Sequence, residues 1–271
     1  MKEKISITIN KKFLKEVDNF VDGLIIKNRS QAIEHIISKI VMFNKTAVVL
    51  AGGPENSLLN DEKKEFKPLM RVGNETIVEN IVRTIASQGY KKIIVVSRDK
   101  PLSEVFKVLK NGEELGVEIK YVVEKESNGS FDSLKLARSH LESNFLVVFC
   151  DLLLDGVDLN ELWEEHVMNK GICTMLLYTS FETDKNGVAI LEGKKILDFF
   201  QKPKGMKQPL CFASAFIASP EIFKYSGKSL EVDLFPILAR SSLMYGHITS
   251  KNIINAHSYK DVKEFLRHNS E

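Results

Sequence analysis

No stretch of this 271-residue chain is apolar for long enough to cross a membrane, a span that takes about 20 residues. With 44% hydrophobic and 27% charged residues, it has the composition of a soluble globular protein. Cysteine is scarce. Cys150, Cys173 and Cys211 lie far apart in apolar, strand-like runs, with no C-x-x-C and no histidine at ligand spacing. That argues against a zinc site and for buried thiols in a reducing compartment. A secretory apolar region is also missing after Met1, where Lys2, Glu3 and Lys4 lead into an alternating segment, so a cytoplasmic location is expected. The absence of G-x-G-x-x-G gives no reason to expect a dinucleotide cofactor. Charge of neither sign dominates: the net is +2. Residues 1–44 hold eight Lys/Arg against five Asp/Glu and the remainder thirty against thirty-one, so the positive excess lies in the first segment.

That segment has its own pattern. Lys4 to Ile9 alternate strictly, with Ile5, Ile7 and Ile9 on one face and Lys4, Ser6 and Thr8 on the other, as in a half-buried strand. Asn10 can cap a helix bearing Phe13, Leu14, Val17, Phe20 and Val21, which Gly23 stops. Asn28 and Gln31 form a capping-box-like start to a second helix bearing Ala32, Ile33, Ile36, Ile37 and Ile40. A unit this short cannot bury both helices or satisfy a lone strand, so pairing with a second copy is expected. The β-α-α order and the run N-R-S-Q-A-I-E-H-I-I resemble the ribbon-helix-helix DNA-binding fold. The resemblance implies a homodimer whose paired strands enter the major groove of double-stranded DNA. Lys4, Ser6 and Thr8 would then face base edges, while Arg29 and Ser30 would hold a phosphate. The plainer alternative is a dimerisation arm with a solvated polar face.

From Lys45 onward the chain changes character, with no Gly/Ser- or Pro-rich spacer between, so domains 1–44 and 45–271 are expected to be held close. Thr46 to Leu50 is a buried strand running into Ala51-Gly52-Gly53, followed by a charged loop and then Lys67-Pro68-Leu69. Adjacent glycines after a β-branched run let the backbone turn sharply and present bare N–H groups to an anion. An ordinary tight turn is the competing reading. Further on, strands and helices alternate: a capping box at Thr76 and Glu79 opens a helix to about Gln88. Strands are expected at 92–97, 118–123 and 145–150, with helices at 103–110 and after Asn128-Gly129-Ser130. This predicts a Rossmann-like α/β domain with a mostly parallel sheet, followed by a β-rich half with strands at 173–178, 188–191, 195–200 and 211–218.

The strand, Leu-Ala-Gly-Gly, loop and Lys-Pro-Leu resemble the opening of the sugar-phosphate nucleotidyltransferases, L-A-G-G-x-G-T-R-L followed by P-K-P-L, which implies a GT-A-like fold. Further matches follow in order. Gly129-Ser130-Phe131 stands at the family's G-T-A, Asp151 at its strand-ending G-D, Gln201-Lys202-Pro203 at its E-K-P, Glu231-Val-Asp233 at its E-x-D, and Asn255 at the second metal-binding aspartate. The resemblance implies nucleotide binding by Ala51, Gly52, Gly53, Lys67 and Gly129. It implies substrate binding by Glu231 or Asp233, although Asp233 can equally cap a helix. Asp151 and Asn255 would hold Mg²⁺, with Lys67 and Asp151 carrying catalysis. The chain departs from the pattern at Glu55, Asn56 and Ser57, where the family has glycine, threonine and arginine. Phe131 replaces a small residue and is expected to crowd the pocket. Arg71 is an alternative cation. These departures favour a DNA-binding transcriptional regulator whose nucleotidyltransferase-like domain binds a nucleotide or sugar nucleotide as a signal, with little pyrophosphate release. The alternative is an active sugar-phosphate or polyol-phosphate nucleotidyltransferase using the arm mainly to dimerise.

Overall fold

The computed structural model describes residues 4–43, 45–54, 58–60, 65–126 and 128–268, without the side chains of 39–43 and 268. Its contacts divide it into two compact units, Met1–Asn44 and Lys45–Glu271.

In the first unit, helix α1 spans Lys11–Asp18 and helix α2 spans Arg29–Phe43. The Asn10 side chain accepts the Lys12 N–H at 2.9 Å. Asn28 accepts the Gln31 N–H while the Gln31 side chain accepts the Lys27 N–H. The alternating segment does not form the expected strand: residues 4–10 take no regular structure, because a single chain offers no second backbone for a ladder. Ala32 is the one buried apolar residue among the described side chains of this unit, while Ile5, Ile7, Phe13, Leu24 and Ile25 are all more than half exposed.

The second unit is built on a nine-stranded sheet whose strands lie, from edge to edge, in the order Glu118–Val123, Tyr90–Ser97, Lys45–Leu50, Phe145–Phe149, Leu210–Ala218, Cys173–Thr179, Met244–Ile248, Lys195–Gln201 and Gly187–Glu192. Its strands are β1 (Lys45–Leu50), β4 (Tyr90–Ser97), β5 (Glu118–Val123), β6 (Phe145–Phe149), β8 (Cys173–Thr179), β9 (Gly187–Glu192), β10 (Lys195–Gln201), β11 (Leu210–Ala218) and β12 (Met244–Ile248). Two short pairs lie outside it: β2 (Arg71–Val72) with β3 (Glu75–Thr76), and β7 (Leu152–Leu154) with β13 (Ile253–Asn255). β1 is central and parallel to both neighbours, with Val48 opposite Ile94 on one side and Val147 on the other. Its apolar residues alternate between two cores. Ala47 and Val49 pack on the side covered by the helices at Ile77–Ser87, Asp99–Leu109, Leu159–Asn169 and Tyr259–His268. Val48 and Leu50 pack with Phe131, Leu134 and Phe216 on the other side. A strand buried on both faces explains why the run Ala47 to Leu50 is wholly apolar.

The sheet is less parallel than the strand–helix alternation implies. β5, β4, β1 and β6 are parallel, but β11 inserts antiparallel between β6 and β8, and β9 and β10 form an antiparallel hairpin. The alternation is a local signal and holds for the first half. In the β-rich second half β8 and β12 are still parallel, while the directly connected β9 and β10 pair antiparallel as a hairpin. The four strands of the parallel half all present their carboxyl ends at one edge, the place where open α/β sheets bind ligands.

Candidate active site

That edge carries a cavity of about 250 Å³ lined by Leu50, Ala51, Gly52, Leu58, Lys67, Pro68, Phe149, Cys150, Asp151 and His257. Four of the sequence-expected residues, Ala51, Gly52, Lys67 and Asp151, therefore meet at one place. Gly53 adjoins them with φ 126°, a backbone setting that glycine adopts most readily.

Under the glycine corner lies a residue the motifs did not reveal. Glu124, 1% exposed, follows β5 directly and accepts the Gly53 N–H at 3.0 Å and the Ser133 hydroxyl. A Cβ on Gly52 would overlap this carboxylate. The signal in the sequence was an acidic residue directly after the strand Glu118–Val123. Nearby, the Ser97 hydroxyl donates to the Ala51 carbonyl at 2.7 Å, tying β4 to the same corner.

Gly129 supports a second close approach. Its φ is 144°, and a Cβ there would come within 2.5 Å of the Lys228 carbonyl oxygen. That carbonyl accepts the N–H groups of Phe131 and Asp132, so the segment 227–229 is clamped onto the helix at Ser130–Leu136. The Glu231 carboxylate accepts the hydroxyls of Ser130 at 2.5 Å and Ser229 at 3.0 Å. The Asp233 carboxylate accepts two backbone N–H groups, from Ser229 at 2.9 Å and Lys228 at 2.7 Å, which hold it below the usual carboxylate range. Asp233 thus does the capping work that competed with substrate binding. Phe131 does not crowd the cavity: it is fully buried and stacks on Phe223 in the second core. Arg71 donates to the Asn74 carbonyl in the β2–β3 turn.

Asp151 and Asn255 converge through the short β7–β13 pair, in which Asn255 lies opposite Leu152 and the Ala256 N–H donates to the Asp151 carbonyl at 2.6 Å. One side-chain oxygen of each, Oδ1, is buried without a hydrogen-bond partner among the described residues. Unpartnered buried oxygens cost free energy. A carboxylate and an amide oxygen left in this way are the kinds of donor that hold a divalent cation. Beside them Cys150 is buried, and burial together with the Asp151 charge pushes its thiol up, so it remains protonated. All three cysteines are buried and free, and among the described residues no three His, Cys, Asp or Glu side chains cluster as a metal site. The expectations on Glu55, Asn56 and Ser57 lie outside the described residues.

The residues expected to meet DNA behave differently. Lys4, Ser6 and Thr8 are exposed on a segment with no ladder, and Ser30 is exposed in the first turn of α2. The Arg29 guanidinium forms a two-pronged pair with the Asp18 carboxylate at 2.5 and 2.8 Å.

Residues 46–257 match the nucleotidyl transferase family, and the chain belongs to that family. It is 29% identical over 207 residues to a mannose-1-phosphate guanyltransferase of Kluyveromyces lactis, covering 73% of this chain and 57% of that protein. A mannose-1-phosphate guanyltransferase of Saccharomyces cerevisiae is 28% identical over the same length, again with 57% covered. The chain therefore spans little more than half the length of these curated relatives. Among solved structures, a Bacillus anthracis protein assigned as a glucose-1-phosphate thymidylyltransferase superposes with a TM-score of 0.73 at 21% identity, over 81% of this chain and 92% of that one. A UTP-bound UGPase of Acinetobacter baumannii gives 0.66 at 16%, over 83% and 93%. These neighbours establish the fold. The named relatives overturn the expectation of a DNA-binding regulator, since both are transferases and the resemblance of the arm to a DNA-binding fold has no counterpart in the match, which begins at residue 46. Among the described residues no helix is long and apolar enough to cross a membrane.

Proposed function

We propose that this chain is a sugar-phosphate nucleotidyltransferase. The observation that carries the reading is the meeting of the Ala51-Gly52 corner, Lys67 and Asp151 around one cavity, next to two buried oxygens without partners among the described residues. In the reaction, a phosphate oxygen of the sugar phosphate attacks the α-phosphorus of a nucleoside triphosphate. A new P–O–P bridge forms, the bond from the α-phosphorus to the α–β bridging oxygen breaks, and pyrophosphate leaves with that electron pair. The glycine corner offers close backbone approach to the phosphates, and Lys67 offsets their charge. A divalent cation held by Asp151 and Asn255 would supply Lewis-acid stabilisation of phosphoryl charge. The names of the relatives make GTP and mannose 1-phosphate the first substrate pair to test.

The arm serves self-association in this reading. Its exposed isoleucines and Phe13 leave almost nothing buried, and so small a unit holds together only against another surface of the same kind.

Incubating the full chain with GTP, mannose 1-phosphate and a divalent cation should release pyrophosphate in a manner dependent on both substrates. Asp151→Asn should lower that rate about 10²- to 10³-fold, the usual effect of removing one group that stabilises transition-state charge. No pyrophosphate from any of the common nucleoside triphosphates with a panel of sugar phosphates would sink the enzyme reading.

A further inference from the structure

His257 lies on the segment that joins β13 to the last helix, Tyr259–His268, and it lines the cavity. Its position is fixed from behind. The backbone N–H groups of His257 and Ser258 both donate to the Asp261 carboxylate, at 2.9 and 2.8 Å, and so does the Ser258 hydroxyl at 3.0 Å. This turn aims the imidazole at Asp151, with Nδ1 3.5 Å from Oδ2. That distance is too long for a good hydrogen bond. It is close to the spacing of two donors that share one ion, since ligands about 2.1 Å from a metal stand roughly 3.0–3.4 Å apart. The other oxygen of the same carboxylate and the Asn255 amide oxygen are the two unpartnered atoms already described.

We propose that His257 is a third protein donor to the divalent cation, and that the resulting carboxylate, amide and imidazole set selects a first-row transition ion over Mg²⁺. The chemistry follows from the donors. Mg²⁺ takes oxygen ligands in a strict octahedron, whereas imidazole nitrogen is a favoured ligand of the later first-row divalent ions. Asp151 contributes the only formal negative charge of the three, so ion and ligands together keep one positive charge facing the phosphates. The functional meaning rests on the transferase reading, but ion binding is measurable without turnover, so the two ideas fail separately.

The test is a titration of tag-free full-length protein with Co²⁺, followed by its visible d–d absorption, with Mg²⁺ as competitor. Wild type should bind one Co²⁺ per chain at this site, and a tenfold excess of Mg²⁺ should not displace it. His257→Ala should lower Co²⁺ affinity about tenfold or more and let Mg²⁺ compete, and Asp151→Asn should weaken the same site. His257 is 59% exposed, so the substitution leaves the fold intact, which a matching thermal unfolding curve checks. Equal Co²⁺ affinity in wild type and His257→Ala, a site indifferent to Asp151→Asn, or no Co²⁺ binding by wild type would each overturn the proposal.

Discussion

His166 shows how one buried residue makes stability depend on pH. It sits on the helix at Leu159–Asn169, 2% exposed, with Nδ1 3.0 Å from the hydroxyl of buried Thr174. Burial pushes its pKa down to about 4 from an ordinary 6.5, because the charged ring cannot be solvated there. The unfolded chain therefore binds a proton that the folded chain refuses between those two values. Stability is fully present above 6.5 and is lost as pH falls towards 4. Wild type should lose about 2 kcal/mol more than His166→Leu between pH 7 and pH 5, read from urea midpoints. A parallel pH response of the two proteins would show that this ring is not the titrating group.

At the scale of the element, the corner after β1 depends on packing beneath it as much as on its own glycines. Gly52 lies where a methyl group would displace the buried carboxylate of Glu124 and break its bonds to the Gly53 N–H and Ser133. Gly52→Ala should therefore cost about 1–3 kcal/mol in thermal unfolding and weaken nucleotide binding at least tenfold by calorimetry. Unchanged stability and affinity would mean that the corner relaxes freely. Several local features were legible without the structure. The Thr76 capping box forms as its spacing demands, and β5 covers Glu118–Val123 as expected. Glu124 was not legible, because its role comes from lying against glycines that are distant in sequence.

For the whole molecule, the exposed apolar surface of the arm bears on assembly. Among the described side chains of Met1–Asn44 only Ala32 is a buried apolar residue, while Ile5 and Ile7 are 69% and 54% exposed. If a second copy covers that surface, sedimentation should give a dimer of full-length chains. Ile5→Glu with Ile7→Glu should shift the mass to a monomer and leave pyrophosphate release per chain within about twofold. A monomeric wild type at micromolar concentration would remove the arm's proposed role.

Features that depend on near neighbours were readable from the residues alone: the apolar period of the strands, the caps at Asn10, Asn28 and Thr76, and the glycine corner ahead of Lys67. The sequence also marked Asp151, since a carboxylate ending an apolar strand is a local pattern, whereas Asn255 was marked only by the family resemblance. It left Asp233 between capping and substrate binding and placed Phe131 against the pocket instead of in the core, because whether a side chain faces a cavity, a core or its own backbone is settled by what packs around it. Folding alone brings Asn255 to Asp151 through the β7–β13 pair, aims His257 at the same carboxylate through Asp261, and sets Glu124 beneath the corner. The physical reason is that unpartnered buried oxygens and a charge shared between distant segments exist only once folding has removed water from between them.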